Sequence, residues 1–177
     1  MTKLEELNVH RTGMTDDGLA PLAGMKNLRL VNLYSNEISG AGFAYLSGLT
    51  QLEVLELADT QVNDAGLMHL RGLTNLRELY LPRTKITGAG LEHLSKLTAL
   101  QKLILSTNEV DDESVKHLAE LTELQILYLG DSDVTDACLK HLRGLEKLNT
   151  LVVRDTAITS AAATAFAIEM DCRVTTE

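Results

Sequence analysis

The chain has 177 residues, a formal net charge of −9 and a pI near 5.0. That length allows one compact domain or one array of repeats, and the acidic balance argues against a phosphate backbone as partner. With 3% aromatic residues and no Trp, leucine has to supply most of the core.

Taken in chain order, the predicted elements repeat. Strand-like segments open at Leu4, Leu28, Leu52, Leu76, Leu100, Leu124 and Leu148, 24 residues apart with nothing inserted or deleted. They read LEELNV, LRLVNL, LEVLEL, LRELYL, LQKLIL, LQILYL and LNTLVV. The alternation of leucine or valine with other residues suits a half-buried strand. A capping residue follows each: Thr15, Ser39, Asn63, Thr87, Asp111, Thr135 and Thr159. Asp16, Asp64, Asp112 and Asp136 come just behind a cap, where the dipole of a short helix favours negative charge. Apolar residues then recur three apart, as in Leu67, Leu70 and Leu73 or Leu91, Leu94 and Leu97, which places one stripe on one helix face. Gly48, Gly72 and Gly144 suit the turn back to the next strand. One such unit cannot bury its own leucines, but stacked units can. Strands then pair in parallel with helices on the other side. Helices are wider than strands, so the stack curves with the sheet inside.

On these residues the chain resembles leucine-rich-repeat proteins, and the short 24-residue bacterial variants with a T-D-x-G-L helix start in particular. The likeness covers residue 4 to about residue 171. The fold class it implies is an α/β solenoid, curved and right-handed, with the parallel sheet on the concave face and short helices on the convex face. All of 1–177 is expected to form one such domain, with 172–177 as the stub of an eighth strand behind a C-terminal cap, SAAATAFAIEM. The resemblance also implies binding of another macromolecule, commonly a protein, on the concave sheet.

In each strand the third, fifth and seventh places face away from the core. The fifth place reads Asn8, Asn32, Glu56, Tyr80, Ile104, Tyr128 and Val152. Tyr80, Ile104, Tyr128 and Val152, with Ile126 beside them, are expected to form an apolar strip of partner-binding anchors. Glu78, Lys102, Arg83, Asp131, Arg154 and Asp155 border it and would set orientation and charge match. The bland alternative is that β-branched and aromatic residues stand there because they stabilise sheets.

His69, His93, His117 and His141 form a second row, just before core leucines, with Tyr45 in the same place one unit earlier. Their place on the helix points outward, and neighbouring helices lie ~10 Å apart, so repeat inheritance explains them better than a metal. Asp131, Asp133, Asp136 and Asp155 could offer oxygens to Ca²⁺, yet they lack EF-hand spacing and suit a solvated loop. Cys138 replaces the helix glycine of Gly18, Gly42, Gly66 and Gly90, which suits a small, partly buried thiol.

No nucleophile elbow, P-loop, zinc-protease helix or Cys/His set is present. The expectation is therefore a non-enzymatic module without cofactor or metal that binds a protein and neither nucleic acid nor membrane. Two cysteines, Cys138 and Cys172, are too few for a disulfide framework. No apolar run approaches the ~18 residues of a membrane span. MTKLEELNVHRTG holds no signal-peptide core, so the chain reads as cytoplasmic, or as part of something longer. Two alternatives stay open. The chain could be the substrate-recognition arm of a larger effector or ubiquitin-ligase-type protein. It could also be an array that self-associates weakly through an uncapped N-terminal end, where Leu4 begins a full repeat at once.

Overall fold

A computed structural model describes residues 3–176. Eight three-residue strands lie side by side in chain order, all parallel, in one open sheet. They are β1 (Glu6–Asn8), β2 (Leu30–Asn32), β3 (Val54–Glu56), β4 (Glu78–Tyr80), β5 (Lys102–Ile104), β6 (Ile126–Tyr128), β7 (Thr150–Val152) and β8 (Arg173–Thr175). The 24-residue spacing becomes the pairing register: Leu55 sits opposite Leu79, Leu79 opposite Leu103, and Leu103 opposite Leu127. β8 breaks step. Arg173 pairs with Thr150, one residue short of the repeat. The 11-residue C-terminal helix (Ser160–Met170) precedes it and ends on Asp171 in the left-handed region at φ 49°.

The other returns are tighter than the sequence suggests. Asp16–Gly24, Ala41–Tyr45, Gly88–Leu94 and Ser114–Leu118 are 3₁₀ segments, and the α-helical pieces Asp64–Leu67 and Leu139–Leu142 span 4 residues each. A 3₁₀ segment rises about 2.0 Å per residue against about 1.5 Å in an α-helix, so few residues suffice to cross a unit. Its side chains three apart eclipse, and the leucine triplets Leu67/Leu70/Leu73 and Leu91/Leu94/Leu97 are all fully buried. Gly48, Gly72 and Gly144, expected at the turn back to the next strand, do not adopt left-handed backbone there. The turn is closed instead by 3₁₀-type bonds such as Leu49 N–H to Leu46 O at 2.9 Å.

Of the seven expected capping residues, Thr15 makes no side-chain capping bond and the second return is capped at Gly40 rather than Ser39, while the other five accept from their own turn. Asn63, Thr87, Thr135 and Thr159 accept from the N–H of Gly66, Ala89, Ala137 and Ala162, and Asp111 accepts from Ser114 N–H. The aspartates behind them do something the sequence reading did not include. Each reaches into the next unit. Asp64 accepts from Thr87 N at 2.9 Å and Thr87 Oγ1 at 2.7 Å. Asp112 bonds Thr135, and Asp136 bonds Thr159, in the same way. Asp16 accepts from Ser39 Oγ and from the N–H groups of Ser39, Gly40 and Gly42. The capping hydroxyl thus donates backward across the unit boundary while accepting forward within its own turn.

Burial pushes the Asp16 pKa up, but these hydrogen bonds outweigh it and leave the carboxyl below its usual range. Asp16→Asn keeps one acceptor oxygen of two and should cost about 2 kcal/mol near pH 7. The sign follows from a folded pKa below the unfolded one. The contribution is fully present above about pH 4, the unfolded carboxyl value, and fades as pH falls through the lower folded value. Denaturant titrations of parent and variant should therefore converge in acid. A gap that stays constant down to the lowest pH would show that the carboxylate's charge plays no part.

Candidate binding face

The outward residues of the strands form registered rows. Glu78, Lys102, Ile126, Thr150 and Arg173 make one row; Tyr80, Ile104, Tyr128, Val152 and Thr175 make the other. The strand centres, Leu79 to Leu151, are fully buried, while most outward residues are only half-buried. These rows fall into two separate parts.

The first part is a closed cluster. The Tyr80 hydroxyl donates to Glu78, and Lys102 Nζ stands over the Tyr80 ring, 4.9 Å from its centroid. Burial, then the Glu78 carboxylate, pushes the Tyr80 pKa up. Ile104 is only 9% exposed. Expected as an apolar anchor, it lies in register between Tyr80 and Tyr128. Beside this cluster, burial raises the pKa of Glu56, although Ala58 N–H donates to its carboxylate at 2.9 Å.

The second part is open. Tyr128, Val152, Arg154, Asp131 and Asp155 converge on one pocket of about 350 Å³. Ile126 lies beside it in the neighbouring row. Arg173 and Thr175 of β8 complete the lining and were missed as site residues. The sequence held the signal, because Arg173 and Thr175 flank Val174 in the eighth-strand stub and so face outward with it inward.

Arg83 belongs elsewhere. It forms a two-point pair with Asp59, with Nη2–Oδ2 at 2.9 Å. Both stand in a row that sequence reading could not see: Arg11, Ser35, Asp59, Arg83, Thr107, Asp131 and Asp155 all hold φ between 51° and 60°. Non-glycine residues rarely adopt this conformation, β-branched Thr107 least of all. Their N–H groups keep the ladder going, as Arg83 to Ser106 O and Asp131 to Arg154 O show. This row edges a larger groove of about 760 Å³ on the loop side, which Asp131, Asp133 and Asp155 share.

The histidines are less exposed than expected. His93 has a side chain only 15% exposed and contacts Arg71 and Glu92, and His141 Nε2 is buried with no hydrogen-bond partner. No three His, Cys, Asp or Glu side chains among the described residues converge as a metal site. Asp136 is taken up by Thr159. Burial, with Asp112 and Asp136 nearby, pushes the Cys138 pKa up to about 12, so that thiol stays protonated and is a poor nucleophile.

A family model described as "Leucine Rich repeat" matches residues 1–23. Internalin C2 of Listeria monocytogenes superposes with a TM-score of 0.72 over 98% of this chain and 80% of its own, at 25% identity. The fold is that of a leucine-rich-repeat solenoid. A second Listeria internalin, InlF, gives a TM-score of 0.61 at 22% identity over 97% of the chain, which spans 60% of InlF. No curated protein sequence matches. Among the described residues, no helix of this repeat protein is long and apolar enough to cross a membrane.

Proposed function

We propose that the chain is a non-catalytic module that binds a protein partner on the open face of its sheet, over the half formed by β5 to β8. The observation that carries this reading is the open pocket around Tyr128 and Val152. An apolar floor with charged groups at its edge is how protein interfaces are built, with Tyr and Arg as frequent anchors. Tyr80 and Lys102, engaged with each other, form a preorganised wall, and Ile126 extends the floor. Arg154, Asp131 and Asp155 orient the partner, while Arg83 holds the loop row in shape through Asp59. The two unpaired cysteines, with pKa values raised by burial, suit a reducing, cytoplasmic compartment.

The test is capture from a lysate of the producing cells by the parent and by Tyr128→Ala/Val152→Ala. Loss of two central anchors should weaken binding by about 2 kcal/mol or more, roughly 30-fold. Met68→Ala, an exposed helix-side change, should leave capture intact. Equal capture by parent and anchor variant, at matched thermal stability, would move the site off the sheet.

A further inference from the structure

The outward strand places are divided by charge. Among the described residues, over β1 to β4 they carry Glu6, Glu56 and Glu78 and no Lys or Arg; from β5 to β8 they carry Lys102, Arg154 and Arg173 and no carboxylate. A chain of net charge −9 has thus gathered its outward cations on one half of one face. Arg154 and Arg173 form no ion pair among the described residues, whereas Arg29, Arg143 and Lys147 pair with Glu53, Glu169 and Glu123.

The cations also surround the apolar floor. Lys102 and Arg173 end the row that runs through Ile126 and Thr150, three strand spacings or ~14 Å apart. Arg154 stands four residues beyond Thr150, ~13 Å along the strand direction. Val152 lies inside this triangle, and Ile126 and Tyr128 lie on its edges. The Arg154 corner is mixed, since Asp131 and Asp155 line the same pocket. Lys102 and Arg173 therefore carry most of the preference.

From this we infer that the occupant is an acidic segment of a partner protein, with an aromatic or aliphatic side chain seated on Tyr128 and Val152 and flanking Asp or Glu side chains reaching Lys102 and Arg173. The inference rests on the binding reading above and adds the partner's chemistry to it. The overall negative charge does not forbid such a partner. At physiological salt, fields are screened beyond ~8 Å, so the local cations decide at contact. Repulsion from the β1 to β4 half then restricts where an acidic segment can lie.

A random-peptide display library selected on the whole chain tests this. Enriched sequences should carry Asp or Glu on both sides of an apolar residue. A synthetic peptide of that pattern should bind Lys102→Glu/Arg173→Glu at least about tenfold more weakly than the parent. Lys102→Gln/Arg173→Gln, which leaves no new charge beside Glu78, should give a smaller loss in the same direction. Repeated on the charge-reversed chain, the selection should turn toward Lys and Arg. Neutral or basic winners on the parent, or acidic winners indifferent to both double variants, would overturn the inference. If those winners still needed Tyr128 and Val152, the binding face would stand without its charge preference. Winners that need neither set, or an empty selection, would count against both.

Discussion

Asn108→Ala will lose about 3 kcal/mol of stability, the larger part of it as unmet hydrogen bonds. Asn108 is only 7% exposed. Its Nδ2 donates to Leu81 O at 2.7 Å and Leu105 O at 2.9 Å, and its Oδ1 accepts from Thr84 Oγ1 at 2.8 Å and Thr84 N–H at 3.3 Å. One amide therefore joins the fourth and fifth units by satisfying both at once. Alanine leaves Leu105 O and Thr84 N–H without these partners and opens a small cavity, while Leu81 O keeps only the Thr84 hydroxyl.

Asn108→Thr is the informative control. Thr60, Thr84 and Thr156 hold the same place in other units, and each donates to the carbonyl three residues back. Threonine should keep the bond to Leu105 O, lose the one to Leu81 O, and cost about 1 kcal/mol. Urea titration measures both, with hydrogen exchange locating the loss. Each unit touches only its neighbours, so protection should fall first in the fourth and fifth units. An alanine variant within ~0.5 kcal/mol of the parent, the range of ordinary surface changes, would remove the amide from any structural role.

How much of this was legible depends on where the partner of each residue sits. The strands and their outward rows followed from period-two alternation within a unit and a fixed repeat between units. Both survive folding because parallel pairing turns sequence period into register. The bond of Asp64 was not foreseen because its partner, Thr87, lies in the next unit, and a reading confined to one helix start finds only the dipole. The low exposure of Ile104 was not legible because burial depends on neighbouring units, which no single strand displays. Arg173 was not recognised beside the anchors because β8 is one residue out of step. The left-handed row was invisible because none of its seven members is glycine, so composition carried no sign of it. The 3₁₀ returns did leave a trace: apolar residues spaced by three throughout, without the fours that an α-helical stripe would mix in.

Gly40→Ala should also cost about 3 kcal/mol, for two reasons that other glycines separate. Gly40 has φ 102°, and a Cβ there would lie 2.7 Å from Gly66 Cα. Left-handed backbone costs an L-residue ~1–2 kcal/mol, and forced overpacking ~1–3 kcal/mol. Gly13 isolates the first effect: its φ is 68° and a Cβ would meet nothing within 4 Å. Gly66 isolates the second, since φ there is not left-handed and a Cβ would fall 2.8 Å from Gly40 Cα. Thermal or urea unfolding of the three alanine variants should therefore show Gly40→Ala near the sum of the other two. A small effect at both Gly40 and Gly66 would mean that the second and third units slide apart at little cost.

The same place explains why these units alone meet glycine to glycine. Asp16, Asp64, Asp112 and Asp136 occupy it in units that bond forward to the next cap. At Gly40 there is no side chain to bond, and backbone contact closes the boundary instead. That boundary lies under β2 and β3, away from the pocket formed over β6 to β8. Gly40→Ala should thus lower stability while leaving affinity for any ligand of that pocket unchanged below its unfolding temperature. A parallel loss of affinity would show that strain at one unit boundary travels along the stack to the binding face.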